Sequence, residues 1–105
     1  MQIIGQKNNQ ISLKGICEIN LSDNLLTCNC VADLCQFLQF DRWTRTINLR
    51  NNDIGYYGIS QICSMLEFNE SIICMDLRDN PGFDEIMSNE IFKKLMLNIK
   101  KIKNR

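Results

Sequence analysis

The side chains best suited to chemistry in this chain are its six cysteines, three of which, Cys28, Cys30 and Cys35, fall close together. Thiolates hold structural zinc when they come in pairs two to four residues apart, balanced by a second pair or by histidines. Here the Cys28-x-Cys30 gap is a single residue, no second pair balances it, and the chain has no histidine. The reading is therefore no metal and no cofactor. Cys35 and Cys63 recur at equivalent places and are expected to act as small buried hydrophobes. The segment Met1 to Asn9 lacks the apolar core of a secretory signal, so free thiols in the cytoplasm are expected.

Catalysis finds little to work with. A general base is missing with histidine, and no nucleophile–base pair or glycine-rich phosphate loop is evident. The expectation is a protein that is not an enzyme, with thiol chemistry at Cys74 as the one opening left. Twelve basic and twelve acidic side chains cancel, which argues against a polyanion binder and so against nucleic acid. No uncharged stretch approaches the roughly 20 apolar residues of a spanning helix, so no membrane contact is expected. Half of the positive charge, Lys93, Lys94, Lys100, Lys101, Lys103 and Arg105, lies in the last thirteen residues. Cations stabilise a helix C-terminus; Lys100, Lys101, Lys103 and Arg105 are also the candidate contact for an acidic surface such as tubulin.

What must position these groups is an internal repeat. Ile16-Cys17-Glu18-Ile19-Asn20-Leu21-Ser22-Asp23-Asn24 aligns without gaps with Thr44 to Asn52 and with Ile72 to Asn80, each step being 28 residues. The shared pattern, apolar-x-x-apolar-x-apolar-x-x-Asn, is that of a leucine-rich-repeat strand. Alternate strand residues face opposite ways, so Ile19/Leu21, Ile47/Leu49 and Met75/Leu77 point inward. The column Asn24, Asn52 and Asn80 is expected to be structural, each amide satisfying backbone groups of the neighbouring turn. Val31, Leu34, Cys35 and Leu38, then Ile59, Ile62, Cys63 and Leu66, follow at helical spacing. The third unit continues through Asn80-Pro81-Gly82-Phe83-Asp84, with Phe83 as a plug. Ile91, Leu95, Ile99 and Ile102 then form its stripe, slipped by one residue.

The stretch from Ile47 to Gly58, followed by a helix and Glu67-Phe68-Asn69-Glu70-Ser71-Ile72, resembles the ribonuclease-inhibitor class of leucine-rich repeat. The match runs from 16 to about 92, except that Thr27 and Cys30 stand where the second unit has Gly55 and Gly58. The close, Met75-Asp76-Leu77-Arg78-Asp79-Asn80-Pro81-Gly82-Phe83-Asp84 with a short helix from Ile91 to Asn98, is similar to the end of the repeat array in the seventy-eight-kilodalton centrosomal protein family. That resemblance implies a scaffold role and a cytoskeletal location at the centrosome, basal body or cilium, with protein partners drawn from those structures.

The expected fold is thus an α/β leucine-rich-repeat solenoid with parallel strands on the concave face and helices on the convex face. An amino-terminal edge cover spans 1–15 and the repeats 16–92. Strands are predicted near 17–22, 45–50 and 73–78, and helices near 30–40 and 58–68. A capping helix and basic tail, charged on the outside, spans 86–105. The concave rows read Glu18, Thr46, Cys74; Asn20, Asn48, Asp76; and Ser22, Arg50, Arg78. Solenoids bind with this face, and its arginines are expected either to take a partner's carboxylates or to be compensated internally. Phe40 and Trp43 are expected to plug the core, with an exposed anchor as the alternative. The functional expectation is a non-catalytic interaction or scaffold module without a small-molecule substrate; a structural subunit of another large intracellular complex is the alternative.

Overall fold

Three short strands, β1 (Glu18–Asn20), β2 (Thr46–Asn48) and β3 (Cys74–Asp76), lie side by side in that order as one parallel sheet. Their registers, Glu18↔Thr46↔Cys74 and Asn20↔Asn48↔Asp76, turn one repeat in sequence into one strand spacing in space. The helices α1 (Cys28–Leu38), α2 (Tyr56–Leu66) and α3 (Glu85–Lys103) alternate with the strands, giving a small α/β domain. This computed structural model describes residues 17–104; the expected edge cover at 1–15, Ile16 and Arg105 lie outside the described residues.

The strands are three residues long rather than six because the chain leaves strand geometry early, although the sheet bonding continues. Beyond β1 the Leu21 and Asp23 amides donate to the carbonyls of Asn48 and Arg50 at 2.8 and 2.9 Å, and Leu49 and Asn51 do the same to Asp76 and Arg78. The chain then turns at Asp23, Asn51 and Asp79, whose φ values are 60, 58 and 62°. Asp and Asn tolerate this left-handed conformation better than other side chains. The reversal aims the following asparagine inward.

That asparagine column links the units. Asn52 donates through Nδ2 to the carbonyls of Leu21 and Leu49, both at 3.0 Å, and its Oδ1 accepts from the Leu26 amide at 3.1 Å. Asn80 repeats the arrangement with Leu49, Leu77 and Ile54. A second link, not expected from the sequence, runs along the opposite end. Buried Asn69 donates to the carbonyls of Leu38 and Asp41 at 2.7 and 3.1 Å and accepts from the amides of Ser71 and Ile72, both at 2.8 Å. Asn98 of α3 donates to the Ile72 carbonyl at 2.9 Å. Buried backbone groups left unpaired would each cost about 1–3 kcal/mol, so these amides hold the units at a fixed spacing.

The core lies between the sheet and the helices, built from Val31, Leu38, Ile47, Leu49, Ile54, Ile59, Ile62, Ile72 and Leu77. α1 and α2 start two residues earlier than predicted. The hydrophobic spacing marks the buried stripe, whereas the first turn begins at exposed or half-buried residues after extended Thr27 and Gly55. In α3 the inward residues are Met87, Ile91, Leu95 and Asn98, while Ile99 and Ile102 are only half-buried. The slip of one residue affects the cap, Asp84 standing one place later than Gly55. Met87 and Ile91, however, keep the step of 28 from Ile59 and Cys63. Asp84 Oδ1 accepts from the Met87 amide at 2.9 Å, which fixes where α3 starts.

Two further expectations fail. Trp43 and Phe40 do not plug the core but stand 48% and 74% exposed. Thr44 takes the inward place instead, its amide tied to Asp41 Oδ2 at 2.9 Å, and the aromatic rings are left on either side of that turn. The outer surface of α3 is likewise not uniformly charged, since Ile86, Phe92 and Leu97 are exposed on it. Phe83, in contrast, packs against the core as a plug should.

Candidate protein-binding face

The strand registers bring two of the expected rows together on one polar face, and the backbone bonds past the strands set the third, Ser22, Arg50 and Arg78, alongside them. Its middle row is locked by a local bond repeated in every unit. The side-chain oxygens of Asn20, Asn48 and Asp76 accept from the amides of Ser22, Arg50 and Arg78 at 3.0, 3.0 and 3.2 Å. The Ser22 hydroxyl adds a bond to Asn20 Oδ1 at 2.7 Å. These short side chains thus brace the end of each strand, and the exposed Glu18 and Cys74 with half-buried Thr46 form the less constrained row.

The arginines are engaged within the molecule. Arg78 grips Asp76 with two bonds, Nε to Oδ1 at 2.9 Å and Nη2 to Oδ2 at 2.7 Å, and Arg50 Nε donates to Asp79 Oδ2 at 2.8 Å. Asn51 reaches across to Asp23 at 2.9 Å. Of the two readings of the arginines, internal compensation is the arrangement seen: Asp76 lies two residues before Arg78 on the same face, and left-handed Asp79 meets Arg50 from the next unit. The Arg78 hydrogen bonds hold the Asp76 carboxyl below its ordinary pKa, and Asp76 raises that of Arg78 in return. The face carries Glu18, Asp23, Asp76 and Asp79 against two guanidiniums, so it is acidic on balance.

Two shallow hollows cross the face. One, of about 360 Å³, lies among Ser22, Asp23, Asn48, Arg50, Asn51, Asp76, Arg78 and Asp79, and the other, of about 380 Å³, among Glu18, Asn20, Thr46, Asn48, Cys74 and Asp76. Both are open; the first is lined by polar side chains, and the second adds Ile47 and the Cys74 thiol to its polar lining. Ligand pockets for small molecules are concave and mostly apolar; these suit protruding side chains of another macromolecule.

The remaining predicted groups lie elsewhere. Lys101 pairs with Glu70 at 3.0 Å, Lys94 with Glu67, and Lys93 with Glu90 at 3.6 Å, whereas Lys100 and Lys103 have no ion pair among the described residues. Cys28 accepts from the Gly58 amide at 3.2 Å, linking α1 to the first turn of α2. Burial pushes the Cys35 thiol up to about 11 and also raises that of Cys63. Exposed Cys30 shifts the other way, lowered by hydrogen bonds from the backbone and hydroxyl of Thr27. Among the described residues no group of three histidine, cysteine or acidic side chains is placed to hold a metal ion. No helix among them is long and apolar enough to cross a membrane.

Comparison with known proteins gives a partial relationship. No family model matches the chain. It is 31% identical over 88 residues to the human protein named Centrosomal protein of 78 kDa, an alignment covering 78% of this chain and 13% of that protein. The mouse protein of the same name is 30% identical over 61 residues, covering 58% of this chain and 8% of its own length. The chain therefore spans only a small part of the curated relatives it matches, and it resembles that part of Centrosomal protein of 78 kDa.

Proposed function

We propose that this chain is a piece of a leucine-rich-repeat solenoid of the ribonuclease-inhibitor type that works without catalysis, holding a protein partner against its strand face within a centrosomal or ciliary assembly. The repeat reading is supported by the 28-residue step, by the left-handed residue before each asparagine, and by the amide links between units. The centrosomal alternative is supported by the name of the similar human and mouse proteins.

One observation carries the binding proposal. Nine side chains from three units share one polar face, and their local bonds and ion pairs pre-set its shape. A partner meeting a pre-set face loses less conformational freedom on binding. The acidic balance favours a partner surface with basic or amide groups.

Reversing the face tests the idea. The tagged chain, purified from ciliated cells, is expected to bring down a defined set of proteins, and Glu18→Lys combined with Cys74→Lys, which turns the acidic face basic, is expected to remove them by about tenfold or more. Both side chains are exposed, so the circular dichroism spectrum should not change. An undiminished set with the double variant would reject the strand face as the docking surface.

A further inference from the structure

α3 differs from the helices before it in length and in the flank it leaves bare. It runs 19 residues, against 11 for α1 and for α2. Lys94 and Lys101 mark the side turned to α2, because they pair with Glu67 and Glu70 just past its end. At about 100° per residue the opposite flank carries Phe92, Met96, Ile99 and Lys103. Phe92 is 62% and Met96 39% exposed, and Ile99 is half-buried. In the sheet layer at the same end of the stack, Met75 is also only half-buried, where its neighbour Ile47 is fully covered.

The charges on this flank say what would cover it. The α2–α3 contact joins apolar residues inside to Lys–Glu pairs at its border. On the bare side the apolar residues are present again, and Lys100 and Lys103 stand beside them with no ion pair among the described residues. Glu85 stands at the amino-terminal end of this flank, but around Met96, Ile99 and the two lysines no carboxylate of the helix is present. A second copy stacked on through α1 would supply few carboxylates, since Asp33 is the only charged residue of that helix.

We propose that Phe92, Met96 and Ile99, bordered by Lys100 and Lys103, form a second docking surface, and that its occupant is an amphipathic helix of another protein whose apolar stripe is flanked by Asp or Glu. Such a helix would meet α3 as α3 meets α2, apolar residues inside and opposite charges at the border. This surface is independent of the strand face and stands or falls separately from it.

The test uses two synthetic helical peptides with leucines at i, i+3, i+4 and i+7, one flanked by Glu and the other by Lys, titrated into isotope-labelled chain. The Glu-flanked peptide is expected to bind, with amide shifts concentrated between Phe92 and Lys103. Phe92→Ser with Met96→Ser should weaken it about tenfold or more. Lys100→Glu with Lys103→Glu should transfer the preference to the Lys-flanked peptide, while Arg50→Glu with Arg78→Glu should leave binding as it was. All of these side chains are exposed, and amide spectra of the free variants check that the fold persists. No binding by the Glu-flanked peptide, equal binding by both, or shifts centred on the strand face would overturn the proposal. So would sedimentation showing a dimer of the chain built through Phe92, which would make a second copy the occupant.

Discussion

Asn24 and Asn52 occupy the same place in successive units and do different work. Asn52 is buried and joins its own unit to the one before it through Leu21 and Leu26, whereas Asn24 is exposed and, among the described residues, bonds to the carbonyls of its own Leu21 and Ser22, at 3.0 and 3.1 Å. Leu26 and Ile54 differ in the same sense, half-buried against fully covered. Glycine follows suit. A Cβ on Gly58 would come within 2.7 Å of Ile54 and 3.3 Å of the Cys28 backbone, because α1 lies against it. Cys30, at the equivalent place in the first unit, is exposed and accommodates a full side chain. Among the described residues, the motif is therefore tied more firmly in the second unit, which packs on the first, than in the first unit itself.

The comparison is most directly broken by removing each asparagine in turn. Asn52→Ala strands the Leu26 amide and the Leu21 carbonyl, and is expected to lower stability by about 2–3 kcal/mol in urea unfolding, with Asn24→Ala costing under about 0.5 kcal/mol. Equal losses would mean that the two units are packed alike. A smaller contrast is expected for the helix starts. Gly58→Ala should destabilise by about 1–2 kcal/mol through the close contact with Ile54 and α1, whereas Cys30→Ala should be nearly neutral.

The thiols sharpen the same point at little cost in stability. Near pH 8, Cys30 is expected to alkylate much faster than Cys35, because exposure and the Thr27 hydrogen bonds favour its thiolate while burial disfavours that of Cys35. Peptide mass spectrometry over a time course reads the order directly. The sign of the pH effect follows: with the Cys35 pKa raised from 9.0 to about 11, its contribution is complete below 9.0 and is lost as pH rises through about 11. The smallest effect belongs to the Arg78–Asp76 pair. Asp76 titrates below its ordinary 3.8, so this contribution is complete above that value and is lost as pH falls through the depressed one. Asp76→Asn should flatten the acid limb of the unfolding curve slightly.

Much of this was legible in the chain itself. The step of 28 residues set the strand order, and the alternation within Glu18 to Ser22 and its two counterparts named the outward residues, because a period of two leaves no choice of face. The helices were legible as stripes, but their first turns carry none of the apolar stripe, and neither start is fixed by a side-chain cap: Gly55 has no side chain and the Thr27 hydroxyl turns to Cys30. The Asn69 link was missed because its counterpart in the first unit is Asp41, so no column repeats. A signal was available for the left-handed residues: Asp23, Asn51 and Asp79 precede the structural asparagine in every unit. Internal compensation of the arginines was one of two legible readings, but which of several nearby carboxylates each long side chain reaches was not. Trp43 was misplaced because a large apolar ring suits a core, while the local turn at Asp41 had already assigned the inward place to Thr44.

The claim that the strand face is what another protein touches can be put to one measurement. A photo-crosslinking amino acid introduced at Thr46 in cells should give adducts of discrete mass with a protein partner, and the same group at exposed Gln36 on α1 should give none. Adducts from position 36 with nothing from position 46 would contradict the account.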